Sequence, residues 1–155
     1  MPDTTSSLAS GRLTLHLGVM DVPYAQRGKS TRSLTTYDVA KILEDKYGIF
    51  ATFYRVREKL FAAEIENSLQ GAFEALVQGR TVDPWDAGMS RLQVNFSDFI
   101  LSGEAERVGI PGTPTKAALR GVNHRLKHPY RKSNPRRPSF KDTGLYVASA
   151  RFWID

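Results

Sequence analysis

The stretch LYVASARFWI, Leu145–Ile154, decides the fold of this chain, because it puts apolar and β-forming residues at the very end of a sequence otherwise dominated by helical spacing. Read as a strand, it places Tyr146, Ala148, Ala150, Phe152 and Ile154 on one wholly apolar face, with Leu145, Val147, Ser149, Arg151 and Trp153 on the other. A strand needs a partner. RLTLHLGV supplies one: Leu13, Leu15, Leu17 and Val19 alternate with Thr14, His16 and Gly18. The two segments are expected to pair and to bury Phe152 and Ile154 against a helix. A helical turn just after Gly144 is the alternative for the first few residues. His16 falls on the polar side and reads as an ordinary exposed histidine.

Between the two strands the pattern is helical. Thr35 followed by Asp38 resembles a capping box and opens a helix through Val39, Ile42, Leu43 and Tyr47, with Gly48 as its stop. A long helix then runs from about Phe50 to Gln78. Phe50, Phe53, Leu60, Phe61, Ile65, Leu69, Phe73, Leu76 and Val77 keep a spacing near 3.6, while Arg55, Glu66, Gln70, Glu74 and Gln78 lie mostly off that stripe. Such a rod spans about 40 Å at 1.5 Å per residue, long for one small domain. The stripe reads as core, with one end left for a neighbouring subunit. After the break GRTVDPWDAG, a further helix carries Met89, Leu92, Phe96, Phe99 and Ile100 on one face and ends near Gly103. VGIPGTP is a rigid connector. TKAALRGVNHRL forms a short basic helix capped by Thr113 or Thr115.

The chain has 155 residues, a length for one domain with a real core. No apolar run approaches the roughly 18–20 residues of a membrane helix. The opening MPDTTSSLASG carries an acid and no hydrophobic stretch, so it reads as a flexible end (residues 1–10), not a leader, and synthesis in the cytoplasm is expected. Zero cysteines exclude disulfides, thiolate nucleophiles and most structural zinc sites. The formal charge of +6 is uneven: residues 113–141 hold nine Lys/Arg and no acid, which leaves 13 basic and 16 acidic groups elsewhere. A mildly acidic body with a basic segment can bind a polyanion or pair with copies of itself.

Motifs with chemistry are few. Gly28–Thr31, GKST, looks like the end of a phosphate-binding loop, but the glycine required five positions earlier is Pro23, which locks φ and removes a donor. His124 and His128 share metal-ligand spacing, yet only cations surround them and no carboxylate lies between. Glu64 and Glu66 face different ways on a helix and cannot act as a pair. Asp83 and Asp86, which flank Trp85, are suited to capping the next helix. No serine sits in a G-x-S-x-G elbow. The expectation is a protein without catalysis, cofactor or metal.

The basic segment KHPYRKSNPRRPSFKDTG, Lys127–Gly144, contains Pro129, Pro135 and Pro138, so it cannot continue a helix and reads as an extended arm over 126–141. Its sizeable apolar groups are Tyr130 and Phe140, too few to fold alone, so it should order against something else. Asp142, Thr143 and Gly144 suit a turn, with Asp and Thr bonding nearby N–H groups and glycine accepting a positive φ.

The closing block RPSFKDTGLYVASARFW resembles the end of the neck and tail-completion proteins that join head to tail in tailed bacteriophages. Their pattern is a basic loop, a Thr-Gly turn (here Thr143-Gly144), a leucine (Leu145), a small residue (Ser149) and a final strand. LGVMDVPY, TTYDVAKILEDKYGIF and IPGTPTKAALRGVNHRLKHP look like further parts of that kind of protein. The resemblance implies an α+β virion protein, located at the head–tail junction, that assembles as a ring round the DNA channel. Its implied partners are copies of itself, neighbouring neck, portal-adaptor or tail proteins, and DNA in the channel, with no membrane and no cofactor.

The combined expectation is a single domain over 1–155 of class α+β. A small antiparallel or mixed sheet packs on one long helix and shorter ones, and a basic arm extends from them. Arg125, Lys127, Tyr130, Arg131, Lys132, Arg136 and Arg137 are the arm's contact residues. Phe140, Asp142, Thr143, Gly144, Leu145, Ser149, Phe152 and Trp153 form its anchor and turn. The competing reading is a nucleic-acid-binding module using 113–141, although no RNA-binding fingerprint, zinc finger or clustered aromatic platform accompanies the charge.

Overall fold

The computed structural model describes residues 13–24 and 34–155; the flexible end expected over 1–10 and the GKST stretch at 28–31 lie outside the described residues. Its elements are β1 (Leu15–Val19), α1 (Thr36–Tyr47), α2 (Ile49–Val77), α3 (Asp86–Leu101), α4 (Glu104–Arg107), α5 (Lys116–Leu119), α6 (Leu145–Ser149) and β2 (Ala150–Ile154). The class is α+β: one two-stranded antiparallel sheet lies against helices dominated by α2 and α3.

The two strands pair as expected, with Leu15 opposite Ile154, Leu17 opposite Phe152 and Val19 opposite Ala150. The end of the chain is therefore fastened to the beginning of the described body. Ala150 and Phe152 are buried, and Ile154 packs at the edge of the core. Phe152 meets the rings of Phe53, Phe61 and Phe96 at centroid distances of 5.9, 6.2 and 5.7 Å. Each such aromatic pair adds to what area burial alone contributes. On the outer face His16 stacks on Trp153 at 5.0 Å and 8°, and its Nε2 lies 2.7 Å from Asp155 Oδ1. Gly18 leaves room for the indole, since a Cβ there would sit 3.3 Å from it.

The first half of LYVASARFWI takes the alternative, a helical turn after Gly144, and the strand reading is corrected there. Leu145–Ser149 is a single helical turn, so alternation fails there: Ala148, assigned to the apolar face, is exposed, while Val147 and Ser149, assigned to the other, are buried. Gly144 at φ 81° starts this turn and sends Tyr146 and Val147 inward together.

The capping box at the start of α1 forms as expected: Asp38 N donates to Thr35 Oγ1 (3.3 Å) and Thr35 N to Asp38 Oδ2 (3.1 Å). Gly48 stops α1 in the left-handed region at φ 57° and lets α2 begin one residue later. The Glu44 carboxylate then accepts from Phe50 N (2.7 Å) and Ala51 N (3.1 Å), capping α2 from the helix before it. In α3, Met89, Leu92, Phe96, Phe99 and Ile100 are all buried, so that stripe is core. Its N-cap is Trp85 with no side-chain bond; Asp83 accepts from Trp85 N at 2.9 Å, one step ahead of the helix, and Asp86 lies in its first turn. The basic helix over 115–126 is only the turn Lys116–Leu119, capped by Thr115 and closed by Gly121 at φ 66°. Between α3 and the connector lies a short helix, α4, that four residues are too few to announce by periodicity.

Candidate functional site

Two surfaces carry features that packing does not explain: the far end of α2 and the basic segment. On α2 the apolar spacing is dominated by the ladder Phe61, Ile65, Leu69, Phe73, Val77, each four residues on. Four residues on an α-helix turn about 400°, so every step drifts about 40° past a full turn. The drift shows in exposure: Phe61 is 2% exposed, Leu69 42%, Phe73 68% and Val77 72%. By Phe73 and Val77 the ladder has turned away from Phe53 and Phe61, and Leu76 lies beside Leu69 on the near edge of the same exposed face. The core-facing positions there are Glu64, Ser68 and Ala75. Glu64 is held by Arg91 of α3 (2.7 Å), and Ser68 abuts Gly88, where a Cβ would come within 2.5 Å of the hydroxyl. The inward side thus packs closely with small and polar groups, while the large apolar groups face out. The stripe is therefore not one continuous core face: over its last two turns Leu69, Phe73, Leu76 and Val77 are exposed.

The basic segment has neither helix nor strand from Leu126 to Phe140, as its prolines dictate, but it folds back on the body. Gly121 lets the chain pass Asn134 and Pro135, whose carbonyl oxygens would lie 2.5 and 2.6 Å from any Cβ there. Asn134 Nδ2 donates to the carbonyls of His128 and Pro129 (both 3.0 Å), and Asn123 N donates to Pro129 O (3.1 Å). Asp142 clasps His124 twice, at backbone N (2.8 Å) and ring Nδ1 (2.6 Å), and His124 Nε2 lies 2.9 Å from the Tyr130 hydroxyl. In the neutral ring Nδ1–H donates to the Asp142 carboxylate, which leaves Nε2 to accept from the Tyr130 hydroxyl. This chain ties the loop tip to the turn before α6. His128 is exposed and stands apart, and no group of three metal-ligating side chains occurs among the described residues.

The contact residues assigned from sequence divide. Lys127, Arg131 and Lys132 are exposed and make no ion pair or side-chain hydrogen bond among the described residues. Tyr130 is exposed apart from its bond to His124. Arg125 donates from Nε to Thr143 O (2.7 Å) and lies over Gly144, where a Cβ would strike its guanidinium. Arg136 and Arg137 bond back to the body, Arg136 from an exposed position and Arg137 half-buried. Arg136 pairs with Glu106 at 2.7 Å. Arg137 donates to the Val122 and Pro138 carbonyls, and burial pulls its guanidinium pKa down.

Among the anchor residues, Phe140 meets Tyr47 edge-on at 5.0 Å and holds φ at 66°, unusual for an aromatic residue. Asp142 bonds across to His124 and not within its own turn; Thr143 Oγ1 accepts from Leu145 N (3.3 Å). Leu145 is half-buried. Ser149 is buried, donating to Tyr146 O (2.8 Å), while its carbonyl accepts from Met20 N (2.8 Å). Phe152 is core, and Trp153 lies on the outer face of the sheet.

The strongest anchor was not assigned from sequence. Glu106 of α4 accepts from Ser139 N, Ser139 Oγ and Arg136 Nη2, all at 2.7 Å, and Ser139 Oγ in turn accepts from Thr115 N (2.9 Å). Burial alone would raise the carboxyl pKa of Glu106, but the bonds from Ser139 and Arg136 outweigh it and hold the group below its ordinary value. Its only signal in sequence was an acid just ahead of a basic stretch.

No family model, no curated protein and no solved structure matches this chain. No helix among the described residues is long and apolar enough to cross a membrane.

Proposed function

We propose that this chain is a structural protein of the bacteriophage head–tail junction, forming a neck, tail-completion or tail-terminator ring between the portal side and the tail. The observation that carries the reading is the outward apolar face of α2. Leu69, Phe73, Leu76 and Val77 are exposed on a helix whose other side is already packed, and a contiguous exposed apolar face marks an interaction surface. The order of elements supports the same reading: strand, long helix, basic segment, Thr143-Gly144 turn and closing strand follow the neck-protein pattern. The role is assembly in the virion after synthesis in the host cytoplasm, with copies of itself and neighbouring neck, portal-adaptor or tail proteins as partners. It involves no catalytic step and no cofactor.

The test is native mass and negative-stain microscopy of the purified protein, together with its detection in phage particles. Ring-shaped oligomers and a place at the neck are expected. A protein that stays monomeric at high concentration and is absent from particles would overturn the reading. A nucleic-acid-binding module is the second reading, favoured by Lys127, Arg131 and Lys132, which are exposed and make no ion pair among the described residues. Tight, sequence-selective DNA binding would favour it.

A further inference from the structure

We infer that the outward face of α2 is the seat for the basic loop of a second copy of this chain, a head-to-tail contact between two different surfaces of the same protein. The inference gives the proposed assembly its interface and rests on that reading only for its biological setting.

The two surfaces are complementary in charge. From Leu60 to Asp86 the chain holds five acids, Glu64, Glu66, Glu74, Asp83 and Asp86, against Arg80 alone. Glu64 is committed to Arg91. Glu66 and Glu74 are exposed, make no ion pair among the described residues, and flank the outward ladder: Glu66 is seven residues, close to two turns, before Phe73. The loop side has the reverse composition, with nine Lys/Arg and no acid over 113–141, and Lys127, Arg131 and Lys132 are exposed at its tip without an ion pair among the described residues.

Both surfaces also expose apolar groups: Leu69, Phe73, Leu76 and Val77 on the helix, and Leu119, Leu126 and Tyr130 beside the cations. The loop is pre-ordered by the Asp142–His124–Tyr130 chain and by Asn134, so little entropy is lost on docking. Pairing of two α2 faces with each other would set Glu66 and Glu74 against their own copies, an unfavourable like-charge contact. Because donor and acceptor surfaces differ, each copy uses one of each, and the contact propagates into a ring or an open helix.

The experiment uses the full chain and two exposed charge reversals, Glu66→Arg with Glu74→Arg on the helix, and Lys127→Glu with Arg131→Glu and Lys132→Glu on the loop. Self-association is followed by sedimentation, and unfolding curves confirm that both variants keep the fold. Each reversal alone is expected to weaken association by about tenfold or more. An equimolar mixture of the two recovers it, as does one chain carrying both. Three results overturn the inference: a wild-type protein monomeric at all concentrations, loop reversal without effect on association, or failure of the mixture to recover it. The phage assignment is read separately. Oligomers built through this contact with no protein in particles overturn the assignment alone, whereas neck-borne protein indifferent to both reversals overturns the contact alone.

Discussion

In its first half α2 turns Ile49, Phe53 and Phe61 towards α3 and β2. In its second half the same side carries Glu64, Ser68 and Ala75, and the large apolar groups face away. One helix thus serves as core over its first part and as surface over its last. Both halves carry large apolar residues; what moves them from core to surface is their phase on the helix. A ladder stepping by four leaves the core by rotation, with no break in the helix. An apolar residue's membership of a helix therefore says little about its burial until its angle from the core is known.

The sharpest break between the halves is in stability. Phe152→Ala, which empties a site among Phe53, Phe61 and Phe96, is expected to cost about 3–5 kcal/mol. Phe73→Ala, at the exposed end, should stay within about 0.5 kcal/mol. Denaturant unfolding of the two variants checks this; equal costs would mean that the far end is packed after all. Gly144→Val comes next, at about 1–3 kcal/mol, because φ 81° disfavours a β-branched residue and its Cβ would strike Arg125. Gly71→Ala, on the exposed half of α2 with nothing near its Cβ, should stabilise by up to about 1 kcal/mol.

The Glu106 clasp sharpens the comparison from the basic side. Its folded pKa lies below the unfolded value, so its contribution is whole above about 4.5 and is lost as pH falls through the lowered value. Glu106→Gln should therefore flatten the acid limb of the stability curve and leave α2 assembly surfaces untouched. A curve unchanged by the substitution would remove Glu106 as the anchor. The smallest effect is on DNA. Weak, sequence-independent binding is expected, with log K falling by about 0.9 per phosphate per log unit of salt. Lys127, Arg131 and Lys132 should carry it, because Arg136 is paired with Glu106 and Arg137 is bonded to the Val122 carbonyl.

Local chemistry was legible where it is short-ranged and redundant. Thr35 and Asp38 define a cap through three residues, Gly48 a stop through one, and Met89 to Ile100 a face through five concordant positions. The β1–β2 pairing was legible because Leu13–Val19 and Ala150–Ile154 are the chain's two alternating stretches. Three features were not legible. Ala148 was misplaced because a five-residue apolar run fits a strand or a helical turn equally. The return of the basic segment depends on Glu106, Ser139 and Thr115, three polar residues far apart in sequence that no pattern links. The turning of α2 was hidden because spacings of three and four look alike over one turn and diverge only over several.

The most direct measurement compares wild-type protein with Phe73→Asp by sedimentation and thermal unfolding under one set of conditions. If the outward face of α2 is an interface, the variant unfolds at the wild-type temperature and sediments as a monomer at concentrations where the wild type forms larger species. A variant that assembles like the wild type, or one that loses its fold, would contradict the account.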